Sequence, residues 1–461
     1  MLFSANVKKR RSKQLFNMND NTPRNGDGNT SAGATQRRDL DRRHVLKTTA
    51  GGVVGLSLAG CIETVGSVVG SADIDPVTIG VLAPDPDSNS TGQSIVEGAE
   101  IARDQLNDDD GIDGRAVELA IGDTNGSPLE ARRQYQRLVL EEGADVTIGV
   151  ATSEVLIHLM DDIAEQEIPH LTVGSATTAA SRMVSDQYEE YKYHFRVGPI
   201  NDVNLAETQI DFLDEMGPEL DWGSVAILVE DYDWTERLWE VYQNRLGDTA
   251  VDVAMQKRYA PATDDFSDIY DEVERTGADA AIIAAAHTGT RAVMDWGPAE
   301  RPFAFSGIHV PMQLSSYYGM VDGACRYATG YAFATPTTET TEKTLPFVDE
   351  YQRRNDGSAP VYTGYISFDA VKLFAKAVEE AETSDSDELV SELEDISVTG
   401  TTGTIEFHDS SHEHAHDVIY GEDNVHPLFF QWQENDDGTG VQQTIWPEEH
   451  KTADYAEPDW F

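Results

Sequence analysis

From Pro76 onward the chain alternates short apolar runs with amphipathic segments. Residues 77–81, 117–121, 146–148 and 171–173 read as strands. Between them, 94–106, a segment from Ser127 to about Glu142, and 153–165 space their apolar residues as helices do. Ser127 stands where a helix cap belongs, with Pro128 in the first turn. After Gly198-Pro199 the alternation restarts, with strands predicted at 225–229, 251–255 and 280–284 and helices at 234–245, 269–276 and 290–296. Continuous β-branched runs between helices predict parallel strands buried on both faces, the βαβ signature of a doubly wound sheet. A Thr- and Glu-rich loop spans 335–343 and a long helix follows at about 367–381. Short strands are expected at 404–407, 417–420, 428–433 and 442–445, then a poorly ordered acidic tail, 448–461.

Charge changes the picture. The 461 residues carry 33 basic and 83 acidic side chains, a net −50. Residues 1–60 hold 11 basic and 4 acidic, so the other 401 residues hold 22 and 79, a balance of −57. A surface of that sign excludes nucleic-acid binding. It would repel itself at low salt, whereas at molar salt the Debye length falls to about 3 Å. The acids are spread along the chain rather than clustered, so they read as adaptation to a salty environment. No run of 18 apolar residues occurs, which excludes an ordinary spanning helix.

The cationic head is a targeting segment. Residues 1–36 are polar and expected to be disordered, with the start at Met1 or Met18. Asp41-Arg42-Arg43-His44-Val45-Leu46-Lys47 resembles a twin-arginine export signal. The apolar run 48–60 ends in Leu58-Ala59-Gly60-Cys61, which resembles a lipobox. These resemblances imply export in the folded state, cleavage before Cys61 and a lipid on its sulfur. Cys325 is then the one remaining thiol, which excludes an intrachain disulfide.

Several blocks carry a wider resemblance: Ile79-Gly80-Val81, Gly98-Ala99, Leu106-Asn107, Gly111-Ile112-Asp113-Gly114-Arg115, Ile168-Pro169, Ser175-Ala176-Thr177, Phe368-Asp369-Ala370-Val371 and Gly400-Thr401-Thr402-Gly403-Thr404-Ile405-Glu406-Phe407. In this order the chain resembles the type I periplasmic solute-binding proteins of ABC importers, branched-chain amino-acid class. The resemblance implies an α/β fold of two doubly wound, Rossmann-like lobes joined by three crossovers, near 196–200, 331–334 and 407–409. It divides the chain into head and signal (1–60), tether (61–75), lobe one (76–197 and 333–407), lobe two (198–332 and 408–446) and tail (447–461).

Ligands of open α/β sheets bind outside the carboxyl ends of strands. That places a site at the loops after residues 148, 173, 229 and 284. Thr152 and Ser153 lead into a helix whose N–H groups suit a carboxylate, with Ser153 as its cap. The resemblance implies that Ser175, Ala176 and Thr177 grip a carboxylate or amide. It implies Tyr232 as an aromatic lid, and His287 as a second contact. It also implies an acid that pairs with a ligand ammonium, yet His309 stands there, leaving Glu230 or Asp231 as substitutes. A branched-chain or other amino acid is therefore the first expectation, and urea or a short amide the second.

His408, His412, His414, His416 and His426 fall in one stretch and read as an exposed polar loop rather than a metal site. No Gly-x-Ser-x-Gly elbow, Walker loop or His-Glu-x-x-His pair occurs, so no enzyme and no cofactor is expected. The expectation is a monomeric, lipid-anchored receptor outside the cell, partnered by an ABC permease. A ligand-sensing module of the same fold is the alternative.

Overall fold

The computed structural model describes residues 75–461; the segment expected to be an export signal, and Cys61, lie outside them. The first sheet comprises β1 (Val77–Ala83), β2 (Val117–Asp123), β3 (Val146–Gly149), β4 (His170–Thr172) and β5 (His194–Arg196). Their order is β2-β1-β3-β4-β5 and every pair is parallel. α1 (Ser90–Asp108), α2 (Pro128–Leu140), α3 (Ser153–Gln166), α4 (Ala179–Asp186) and the one-turn α5 (Tyr188–Tyr191) connect them.

α6 (Asp202–Glu219) then leads into a second sheet of β6 (Ser224–Glu230), β7 (Asp252–Tyr259), β8 (Ala280–Ala284), β9 (Ala304–Ile308) and β10 (Thr329–Ala332). α7 (Thr235–Arg245), α8 (Ser267–Thr276), α9 (Gly289–Trp296) and α10 (Tyr317–Met320) are its connections. α11 (Thr344–Arg354), α12 (Tyr362–Ala381), α13 (Ser386–Asp395) and a small hairpin, β11 (Val398–Thr399) with β12 (Thr404–Ile405), come next. β13 (Leu428–Glu434) and β14 (Gly440–Trp446) finally join the second sheet antiparallel beside β10. That sheet runs β7-β6-β8-β9-β10-β13-β14, so its parallel part repeats the order of the first.

The two sheets share a chain that changes sides three times. After β5 it enters α6. After β10 it returns to the first lobe, where α12 packs on α1. Ser367 Oγ donates to the Ile95 carbonyl at 2.7 Å, and a Cβ on Gly98 would meet the Gly364 carbonyl at 2.2 Å, so glycine lets the helices touch. The third passage is longer than the expected crossover near 407–409. Residues 416–418 run beside Arg196, with Arg196 N–H donating to the His416 carbonyl and Val418 N–H to that of Arg196, before β13 begins at Leu428.

Several expectations shift. α1 starts at Ser90 because Asn89 caps it, accepting from the Thr91 and Gly92 N–H groups. α12 starts at Tyr362 rather than 367. Ser127 holds the N-cap position of α2, but its side chain makes no capping bond. Residues 417–420 form isolated bridges to Arg196, Phe407 and Val425 rather than a strand. The tail is packed, not loose. Trp460 lies against Trp296 and Tyr327 and donates to the Arg301 carbonyl at 3.0 Å, and Ala456 bonds Gln431 in both directions. Its apolar residues outweigh its acidity, which the composition alone does not show. Among the described residues no helix is long and apolar enough to cross a membrane.

Candidate functional site

In each sheet the order reverses between the first and third strands, β1 and β3 in one, β6 and β8 in the other. The carboxyl ends at such a reversal open a crevice between diverging loops.

On the first lobe, β3 ends at Gly149 and Thr152 becomes the exposed N-cap of α3. Ser153, expected as the cap, is instead the first helical residue, and among the described residues no side chain caps the first-turn N–H groups. The first-turn N–H groups thus suit an anion, helped by the helix dipole. Ser175, 1% exposed, follows β4 and donates through Oγ to Ser153 Oγ at 3.4 Å. Thr177 is buried and its Oγ1 accepts the Ala179 N–H at 3.2 Å, leaving its proton to donate. The half-buried Ala176 accepts the Asp202 N–H at 2.8 Å, and Asp202 accepts the Thr178 N–H at 3.2 Å. Tyr362 OH donates to the Gly174 carbonyl at 3.1 Å. The two hydroxyl loops therefore stand together on a polar frame.

On the second lobe, Glu230 ends β6 fully buried. It accepts the Ala286, His287 and Thr288 N–H groups at 3.0–3.2 Å and the Thr288 hydroxyl at 2.8 Å. Burial alone would raise its pKa, and the hydrogen bonds from His287 and Thr288 outweigh it, holding the carboxyl below its ordinary value. His287 Nδ1 lies 2.5 Å from Glu230 Oε1, so Nδ1 carries the proton and Nε2 is left for another partner. Tyr232, 41% exposed, meets the His287 ring edge to face at 4.8 Å. One carboxylate thus organises both aromatic candidates.

His309 is buried, and burial pushes its pKa down to about 4. Its neutral ring bonds Thr290 Oγ1 at 2.8 Å and packs so closely on Gly289 that a Cβ there would lie 2.3 Å from it. Asp231 pairs with Arg258 at 2.7 Å. Glu230 and Asp231, the expected substitutes for an ammonium partner, are therefore both engaged within the lobe.

The structure brings together Ser153 with Ser175 and Tyr232 with His287, and sets His309 beneath α9. The sequence reading missed Glu230 as a loop organiser and the buried Arg196 behind Ser175. Glu230 carried a signal: an acid closing an otherwise apolar strand needs donors. The histidine stretch is not simply exposed. His416 is buried, stacked 4.0 Å from Phe195, and bonds Glu394 at 2.8 Å. Among the described residues no group of three or more His, Cys, Asp or Glu is arranged to hold a metal ion.

Two lobes of matching topology, with hydroxyls, helix ends and aromatics at their strand ends, define a solute-binding fold. The chain belongs to the periplasmic binding protein family, whose model matches residues 76–422. Members of this family bind solutes rather than transform them. Solved structures share the fold at low identity. An ABC transporter substrate-binding protein from Sphaerobacter thermophilus is 19% identical, with a TM-score of 0.68 over 81% of this chain and 97% of that one. A branched-chain amino acid transporter substrate-binding protein from Streptococcus pneumoniae, solved with isoleucine, is 15% identical, with a TM-score of 0.66 over 81% and 100%. An ABC transporter solute-binding protein from R. palustris, solved with benzoate, is 15% identical, with a TM-score of 0.62 over 83% and 100%.

Proposed function

We propose that this chain is the extracytoplasmic receptor of an ABC importer, held to the outer face of the membrane by a lipid on Cys61 after twin-arginine export. It works as a monomer in high salt. It captures a small polar solute between its lobes and delivers it to a membrane permease. The observation that carries this reading is the pairing of Ser175 with Ser153 at the N-terminal end of α3, which has no side-chain capping bond among the described residues. Such a cradle holds a carboxylate or an amide with dipoles and hydrogen bonds alone, which suits a chain with so few cations. Thr152, Ala176 and Thr177 complete the cradle. Tyr232 and His287 cover the solute from the second lobe, and closure is a population shift driven by contacts to both lobes.

A branched-chain or other amino acid is the first candidate. Urea or a short amide is a second reading, favoured by one observation. The neutral His309 and the engaged Glu230 and Asp231 leave a ligand ammonium without those partners. A thermal-shift screen in molar KCl with amino acids, urea and short amides tests both. A shift with leucine supports the first, a shift with urea alone supports the second, and turnover of any solute would overturn a binding role.

A further inference from the structure

The histidine-rich third passage has no part in the solute cradle, yet it closes around one side chain. Arg196, the last residue of β5, is fully buried. Its Nε donates to Asp417 Oδ1 at 3.1 Å and its Nη1 to the Ser175 carbonyl. Its Nη2 reaches the Pro199 carbonyl at 2.5 Å and Tyr420 OH at 3.3 Å. Tyr420 OH in turn donates to the Pro199 carbonyl at 2.9 Å, and Asn201, which caps α6, donates to Asp417 Oδ2 at 2.9 Å. One guanidinium thus holds three things at once: the backbone of the candidate solute loop, the first passage between lobes, and the third.

A buried ion pair is weak evidence for stability, because desolvating both charges offsets much of their attraction. A planar fork with fixed donors does supply geometry. We infer that Arg196 is a positioning residue that couples the Ser175 loop to the hinge, so that solute affinity and the spread of lobe orientations both depend on it. Any rotation of the third passage against the first moves Asp417 or Tyr420 against Pro199, and the fork transmits that to the Ser175 carbonyl. The histidine stretch is then a strap: His416, packed on Phe195 and bonded to the His194 carbonyl at 3.1 Å, sets the register that delivers Asp417 to Arg196. The affinity half of this inference rests on the proposed cradle; the hinge half does not.

The test uses the chain with Cys61→Ser and spin labels at Leu140→Cys and Met320→Cys, each 65% exposed and on different lobes. Removing both charges together in Arg196→Met/Asp417→Leu avoids stranding one of them. The milder Tyr420→Phe deletes only the hydroxyl and stands in should the double variant not fold. Electron–electron distance distributions and titrations with leucine and with urea are the readouts. The double variant is expected to broaden the interlobe distribution at least twofold and weaken binding at least tenfold. Tyr420→Phe should move both in the same direction by two- to threefold. Wild-type width and wild-type affinity in a folded variant would overturn the inference. If neither solute binds the parent chain, the cradle reading fails, and the distribution width alone decides the role of Arg196.

Discussion

His170 sits in the middle of the first sheet, in register with Thr147 on β3 and His194 on β5. It is fully buried; Nδ1 meets Thr147 Oγ1 at 2.9 Å, and Nε2 has no hydrogen-bond partner among the described residues. A second proton would be buried without an acceptor, and burial pushes the pKa down to about 3. In the unfolded chain the ring titrates near 6.5. Stability from this group is therefore complete above pH 6.5 and drains away as pH falls toward 3, because the unfolded chain binds a proton the fold refuses. The slope is about 1.4 kcal/mol per pH unit, so lowering pH from 7 to 5 costs about 2 kcal/mol. His170→Asn keeps a polar atom near Nδ1 and cannot titrate. Guanidinium chloride unfolding of both proteins at pH 7 and pH 5, at constant salt, isolates the term, since the many carboxylates titrate alike in each. The parent should lose about 2 kcal/mol more than the variant. Equal losses would refute a neutral, buried imidazole at this position.

Other outcomes follow from the same reasoning. Asp369, buried beneath Thr401, is pushed by burial up to about 7, so its favourable contribution is present below the unfolded value of 3.8 and lost as pH rises through 7. Asp369→Asn should therefore gain stability over the parent between pH 5 and pH 8, by about 3 kcal/mol, read from melting curves. Glu230→Gln replaces an acceptor of five donors with an amide and should cost about 2 kcal/mol while disordering Tyr232 and His287, visible as loss of their ring contacts by NMR. Ser175→Ala with Thr177→Ala should weaken solute binding at least tenfold at unchanged melting temperature; unchanged affinity removes them from the cradle. Cys61→Ser should move the exported protein from the membrane to the soluble fraction on centrifugation.

Much of the fold was legible because parallel strands buried on both faces leave continuous apolar runs, and β1, β3, β6 and β8 each stand out that way. What sequence could not show lies in long-range partners. Nothing local says that Arg196 meets Asp417, 221 residues away. Nor does it say that Trp460 tucks under Arg301. The early start of α1 is readable from Asn89, a residue type that favours the N-cap, whereas the apolar spacing alone points to a later start. At the site, residue type alone marks Ser175 and Ser153 as hydroxyl donors and acceptors. It does not mark the commitment of Glu230, because an acid beside a tyrosine looks free until three backbone N–H groups from another loop are seen to converge on it.

Calorimetric titration of the parent chain in molar KCl, with each solute that raises its melting temperature, tests the receptor role most directly. The account predicts saturable binding of one solute per chain, with the solute recovered unchanged and the affinity lost in the Ser175→Ala/Thr177→Ala variant. Absence of binding by amino acids, urea and short amides alike, or consumption of the solute, would contradict it.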